Sequence, residues 1–325
     1  MKTRNMREMK KILLLGAMVL SVSTLKAQVS YFGNEATNIE KLKILKNTTT
    51  LFTLTYSDYS ELAKFDEAIK KTWTITPYKI IRPEELAVYD KLERYSFFYF
   101  DAYAETRDTI TNANVVYTLK LISPSDKPKQ RDESIFAMVT LFPDIYTEQT
   151  VKEIGDKSGA RRSIKKELLN SLYNNAQFIN WSPGLLAGYL KQINDGLLAQ
   201  ESRELDYQFY NKVRLPKLAT ETLYVPEYVR EVFSLQRIKL PTSNTAQEQY
   251  NYKLKFLPFK ELDSLILSKT EGIKYLVYTR RSKDKIISIY DSKDDKIIYQ
   301  KFYFQTPEFE MDDLNDIKKV VKSIK

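Results

Sequence analysis

Tyr78-Lys79-Ile80-Ile81-Arg82-Pro83-Glu84-Glu85-Leu86 and Leu254-Lys255-Phe256-Leu257-Pro258-Phe259-Lys260-Glu261-Leu262 are the two stretches from which the fold is read. Each runs from a short apolar strand through a proline into the start of a helix. Glu84, Glu85 and Glu261 suit the positive end of the helix dipole there. Three strands follow the first stretch, at 95–103, 115–122 and 134–141. Three follow the second, at 273–279, 285–290 and 296–304, joined by polar turns at 280–284 and 291–295. Two readings account for the parallel. Either a strand–helix–three-strand unit is duplicated, or two ordinary α/β segments are alike by composition.

Working outward, residues up to 48 form a polar leader, and 50–56 is a β-branched and aromatic strand. Residues 59–71 read as a helix with Leu62, Phe65 and Ile69 on one face, and 73–81 as the next strand. Pro83 opens a short helix through Leu86 and Tyr89, and 123–133 is a solvated loop. The middle is helical. Gly155 and Gly159 interrupt it, Ile164, Leu168 and Leu172 form one apolar stripe, and Leu186, Tyr189, Ile193, Leu197, Leu205 and Phe209 form a longer one. Pro216, Pro226 and Pro241 mark its exit, and 242–249 is a polar linker. A strand at 252–257, a helix at 259–267 and a closing helix at 311–324 complete the chain. The fold class is α/β or α+β, with two similar mixed-sheet units flanking a central helical region. The domain division is 1–27 leader, 28–145 N-terminal α/β domain, 146–222 helical middle and 223–325 C-terminal α/β domain.

The leader has the three parts of a secretory signal. Lys2, Arg4, Arg7, Lys10 and Lys11 form a basic start, residues 12–20 are apolar or Gly, and Ala27 precedes the expected cut before Gln28. Nine apolar residues fall well short of the ~20 that span a bilayer. Met9 directly precedes Lys10 and Lys11, and initiation there would shorten the leader to a usual length. The whole chain carries 51 basic and 42 acidic residues. Removing 1–27 takes six basic and one acidic residue with it, so the net charge falls from +9 to +4. A surface that mildly basic is no argument for nucleic-acid binding. The chain has no Cys, so it forms no disulfide and cannot carry a lipid on a Cys after the cut.

The strand–helix–strand–helix–meander order, with 78–86 ahead of an aromatic strand, resembles the N-terminal α/β domain of TolB and of CsgG-type envelope proteins. The end of the leader, Lys26-Ala27-Gln28, resembles that of exported proteins of the Bacteroidota. The likeness covers the two α/β segments and not the central helices. It implies work at the cell envelope among other envelope proteins. It carries no diagnostic motif, so no functional residue is transferred. The lipidated Cys of the CsgG type is missing here.

The composition excludes much chemistry. There is no His in 325 residues, which removes Ser-His-Asp and Cys-His nucleophiles, His proton shuttles and His-ligated metals. Absent Cys removes thiol chemistry and iron–sulfur ligation. The stretch from Gly155 to Ser163 lacks the Gly-Lys-Ser/Thr order of a phosphate loop and reads as a helix break. Two Ser-x-x-Lys matches, Ser163 with Lys166 and Ser282 with Lys285, lack the Ser-Asp-Asn and Lys-Thr-Gly partners of an acyl-transfer site. Carboxylates are the remaining catalytic currency: Glu84 with Glu85, Asp312 with Asp313, and Asp291, Asp294 and Asp295 in one turn. The first two pairs suit helix starts, and the third lacks calcium-loop spacing. The aromatic runs 95–103 and 299–304 offer a stacking platform, although alternation sends half of each run to the core.

These readings assign no catalytic, metal or cofactor-binding residue and imply no cofactor. The leading expectation is a non-enzymatic envelope protein acting through protein–protein contacts, placed first in the periplasm, with outer-membrane association or release as alternatives. A glycan or small-ligand module ranks second and a carboxylate-dependent hydrolase third. No nucleic acid and no transmembrane span in the mature chain are expected, and the sequence sets no oligomeric state. N-terminal sequencing of the exported protein is expected to begin at Gln28. A mature chain that keeps residues 12–20 would overturn the leader.

Overall fold

The computed structural model describes residues 28–31, 38–89, 94–107, 110–124, 131–157, 161–204, 208–230, 248–268, 272–281 and 283–324. The expected leader, Gly159, Leu205, Pro241, Ser282, residues 125–130 of the solvated loop and 242–247 of the linker lie outside them.

Backbone pairing sorts the described strands into two six-stranded mixed sheets. The first holds β1 (Val29–Tyr31), β2 (Thr49–Thr53), β3 (Tyr78–Ile81), β4 (Tyr95–Arg107), β5 (Ile110–Pro124) and β6 (Arg131–Leu141), in the order β1-β6-β5-β4-β2-β3. The second holds β7 (Phe209–Tyr210), β8 (Leu223–Pro226), β9 (Leu254–Leu257), β10 (Lys274–Arg281), β11 (Asp284–Asp291) and β12 (Lys296–Tyr303), in the order β7-β12-β11-β10-β8-β9. Polarity matches strand for strand. β2 runs parallel to β3 and β4, as β8 does to β9 and β10, and every other pair is antiparallel.

The registers match as well. Thr50 lies opposite Tyr78 and Ser96, and Leu223 lies opposite Leu254 and Lys274. The stretches 78–86 and 254–262 therefore correspond from Tyr78 and Leu254 onward. Both units carry a bulge at one corresponding place, between Leu119 and Lys120 in β5 and between Ile289 and Tyr290 in β11. Similar composition yields similar strands but does not place a bulge, which is a specific local device. The shared bulge favours duplication over chance likeness.

The helices are α1 (Ile39–Lys46), α2 (Leu62–Thr72), α3 (Leu86–Tyr89), α4 (Ile145–Gly155), α5 (Arg161–Asn174), α6 (Pro183–Leu198), α7 (Phe259–Ser268) and α8 (Met311–Ser323). The expected polar leader up to 48 is not featureless. It holds β1 and α1, whose start is capped by Asn38 and whose Leu42 and Leu45 are buried. The expected 73–81 strand is shorter, because Trp73 ends α2 by donating its amide to Ile69 O. Its indole packs edge-on against Phe52 and Phe98. The apolar stripe expected to run to Phe209 stops at Leu198. Gln200 takes φ +56, and the Glu201 amide closes back on Gly196 O at 2.9 Å, a left-handed helix stop. Phe209 instead opens the edge strand β7.

Within the region 146–222, α4 and α5 pack on the first sheet while α6 lies between the two sheets. Thirteen of its sixteen residues are buried, so it is an interior helix and not an amphipathic surface one. Ser182 caps its start and Pro183 takes the first helical position. It packs on α2 and β1 of the first unit and on α7 and β12 of the second. One continuous core follows, joining Phe98, Phe100 and Tyr117 to Tyr189, Tyr275 and Tyr290. The far face of the second sheet has its own core under α8, built on Leu276, Ile287, Leu314 and Ile317.

Gly196 marks how closely α6 approaches β1. A Cβ there would stand 2.4 Å from the Tyr31 ring. Helix propensity alone favours Gly196→Ala by about 1 kcal/mol, whereas overpacking costs about 1–3 kcal/mol. Packing is expected to win: Gly196→Ala should lower the unfolding free energy measured in urea, and a gain in stability would show that Tyr31 yields freely.

Candidate functional site

Open α/β sheets bind ligands outside the carboxyl ends of parallel strands, where successive connections leave for opposite faces. In the first unit β2 leads to α2 over the inner face, and β3 leads to α3 on the outer one. The two exits are tied together. Tyr56 OH donates to Glu84 Oε2 at 2.6 Å, Tyr59 OH donates to Ile81 O at 2.6 Å, and the Arg82 guanidinium lies 5.4 Å from the Tyr59 ring.

Beside this junction a cleft of about 780 Å³ opens on the outer face of the first sheet. Its floor is Phe97 and Tyr99 from β4 with Lys120 and Ile122 from β5. The residues from Pro83 to Ala87 form one wall, and α5, from Lys165 to Asn174, forms the other. Alternation in β4 sends Phe98 and Phe100 to the inner core and Phe97 and Tyr99 to this face. Leu86, Ile122 and Leu169 are half-buried, while Glu84, Ala87, Lys165, Lys166 and Asn170 are exposed at the rim.

The floor's polar groups are satisfied within the chain. Lys120 Nζ is 2.5 Å from Glu133 Oε2 and 5.7 Å from the centre of the Tyr99 ring. Tyr99 OH donates to Asp101 Oδ2, which also pairs with Lys165 Nζ, both at 3.3 Å. Burial, then the Asp101 charge, push the Tyr99 hydroxyl well above the usual tyrosine range. Tyr173 OH accepts from the Phe100 amide and shares a 2.7 Å bond with Thr53 Oγ1, and burial raises it too. The Tyr56 hydroxyl bond holds Glu84 below the usual carboxylate range. A general acid needs the opposite shift.

Of the sequence candidates, the structure brings Glu84, Lys166 and, from the aromatic run 95–103, Phe97 and Tyr99 to this cleft. Glu85 caps the Arg82 amide at 2.8 Å. Asp313 caps Glu310 N and meets buried Lys285 Nζ at 2.7 Å, so Lys285 serves a core ion pair. Asp312 is exposed on α8. Asp294 forks onto Arg214 at 2.7 and 2.8 Å, and Asp291 meets Lys274 at 3.0 Å. Asp295 takes the left-handed φ of +56 that the turn needs. Ser163 is exposed on the first turn of α5. Gly155 ends α4 against β4, where a Cβ would stand 2.3 Å from Ala104 Cβ, so close packing accounts for it. In the 299–304 run, Tyr299 is core and Phe304 is exposed. Among the described residues no group of three or more acids could hold a metal ion. None of their helices is long and apolar enough to cross a membrane.

Sequence reading missed Lys120, Glu133 and the contribution of α5. These sit on three separate elements, β5, β6 and α5, and only the tertiary fold brings them together. Compared with family models, curated proteins and solved structures, the chain matches none.

Burial raises three carboxyls, those of Asp58, Asp263 and Asp313, and the first two lie near the contact between α6 and its neighbours. Asp58, after β2, accepts from Thr55 N at 2.9 Å and Trp181 Nε1 at 3.1 Å. Asp263 of α7 accepts from Ser182 Oγ at 2.6 Å and Gly184 N at 2.9 Å, tying α7 to the start of α6. Burial raises both carboxyls above their ordinary value of 3.8. At these two carboxyls the folded chain holds more protons than the unfolded one just above 3.8. The stability this gives is full below the unfolded value and lost as pH rises through the folded one. Asp58→Asn and Asp263→Asn should each flatten the change in urea midpoint as pH rises above the ordinary carboxyl value of 3.8. Variants that keep the parent's slope would assign the pH dependence to other groups.

Proposed function

We propose that this chain is an exported, non-enzymatic protein of the cell envelope that works by binding another envelope protein. The observation carrying this reading is the cleft on the first sheet. Its apolar walls are half-exposed, its rim is charged, and its floor hydroxyls and ammonium group are already engaged with neighbours. Such a surface offers area and charge to a partner more readily than a reactive group to a substrate. The leader, the TolB-like order of elements and the missing His and Cys accord with it.

A ligand module is the second reading, favoured by Tyr56, Tyr99 and Tyr173 around one cleft. Sugar platforms need an exposed ring face, however, and Tyr99 is only 9% exposed. Amine cross-linking of intact cells, followed by mass spectrometry, is expected to recover the same envelope protein in repeated preparations. Recovering no partner in any preparation, or a glycan-array hit whose thermal shift is lost on Tyr56→Ala, would overturn the protein-binding reading.

A further inference from the structure

We infer that the cleft on the first sheet is the seat of an acidic, amphipathic helix from a protein partner, docked as α6 docks on the second sheet. This rests on the protein-binding reading and specifies its partner. Matching the registers places Phe97 with Tyr275, Tyr99 with Val277, and Lys120 with Tyr290. It also places Leu51 with Tyr224 and Ile81 with Leu257. The side of the first sheet that floors the cleft therefore corresponds to the side of the second sheet that faces the central core.

On the second sheet that side is covered by α6 and α7. Tyr275 and Tyr290 stack at 5.3 Å, and a Cβ at Gly188 of α6 would lie 3.3 Å from both side chains. Gln192 of α6 donates to Tyr290 OH at 2.9 Å. Leu262 and Ile266 of α7 complete the cover. On the first sheet the counterpart of the ten-residue α7 is the four-residue α3. The counterpart of α6 falls before β1, because α6 ends ahead of β7 and β7 corresponds to β1. That position belongs to residues 1–27, which the export reading assigns to the removed leader. Among the described residues no helix covers Leu86, Ile122 and Leu169 as α6 covers the matching side of the second sheet, and a partner's helix is the occupant assigned to that place.

Charge orients the helix: the Pro83–Ala87 wall carries Glu84, which already accepts from Tyr56 OH, so the acidic flank of an occupant faces the α5 wall. Where Gln192 meets Tyr290, an occupant of the cleft meets Lys120, with Lys165 and Lys166 on the α5 wall. Glu133 and Asp101 take up Lys120 and Lys165 in part. Lys166 stands exposed on the rim, facing the polar flank of an incoming helix. Apolar anchors spaced i, i+4 and i+7 with a flanking Asp or Glu fit this seat.

The test uses the full chain in its own cells, with a photo-reactive benzoyl-phenylalanine at Ala87 or Asn170 on the cleft walls. A control carries it at Val213, 78% exposed on the second unit. Circular dichroism checks that each variant folds. Cross-linked peptides sequenced from Ala87 and Asn170 should come from one foreign protein and show a helix-period apolar pattern with acidic flanks. Lys166→Glu should cut that yield about fivefold, the size of one favourable surface charge pair. A synthetic copy of the captured segment should then bind the purified mature chain. Adducts only with residues 1–27, only with glycan or lipid, or with a non-helical acceptor would overturn the proposal. Protein adducts from Val213 alone would overturn it and leave the broader protein-binding reading standing. No protein adduct from any of the three positions would sink both.

Discussion

Everything in this fold depends on burying one helix on all sides. α6 carries Tyr189, Gln192 and Asn194 into the interior along with its leucines, so each polar group needs a partner or costs about 1–3 kcal/mol. The structure meets that demand by linking the two units. Gln28 donates to Tyr189 OH at 2.6 Å, Tyr290 OH donates to Gln28 Oε1 at 3.3 Å, and Gln192 donates to Tyr290 OH. Arg203 donates to Gln192 Oε1 at 2.5 Å, and Thr74 N donates to Asn194 Oδ1 at 2.8 Å. Just ahead of α6, Asn180 donates to Thr140 O in β6 and to Thr279 Oγ1 in β10, bridging the two sheets directly. These bonds fix direction as well as contact, and the leucines around them supply most of the burial.

The same constraint explains which parts of the fold were legible in the sequence. The meanders 95–141 and 273–304 read correctly because each strand is long enough to show its own alternation. The alignment of Tyr78 with Leu254 was legible because both stretches carry a strand, a proline and an acidic helix start. β1, β7 and β8 were not read, being two to four residues long and defined only by the long strands they pair with. The longest apolar stripe was overrun to Phe209, since nothing but a left-handed Gln200 stops the helix, and Gln is not a residue that announces this. Glu84 was legible as a helix-start acid but not as a wall of the cleft. Lys120 is a lone charge among the apolar residues 115–122 of β5. Its significance appears only when register sets it beside Phe97 and Tyr99.

The two units share strands and differ in what covers them. In the second unit both sheet faces are capped, one by α8 and the other by α6 and α7. In the first, the inner face takes α2, α4, α5 and α6, while the outer face carries a four-residue helix and the flank of α5. The residue types follow the covers. Tyr275, Val277 and Tyr290 are fully buried under α6, and their counterparts Phe97, Tyr99 and Lys120 include a charge that needs a route to solvent. Under these covers Phe97 is buried, while Ile122 of β5 and Leu86 of α3 stay half-buried at the cleft.

Export and architecture also bear on one another at Gln28. The residue expected to open the mature chain is fully buried, and its carbonyl accepts from Thr140 N at 2.6 Å. Its side chain joins the Tyr189–Tyr290 network, and the next three residues form β1. Gln28 and β1 are thus woven into the central core together. β1 is an edge strand, and α6 lies directly over it with Gly196 against Tyr31. Loosening Gln28 would therefore loosen the seat of α6, and with it the contact between the two units.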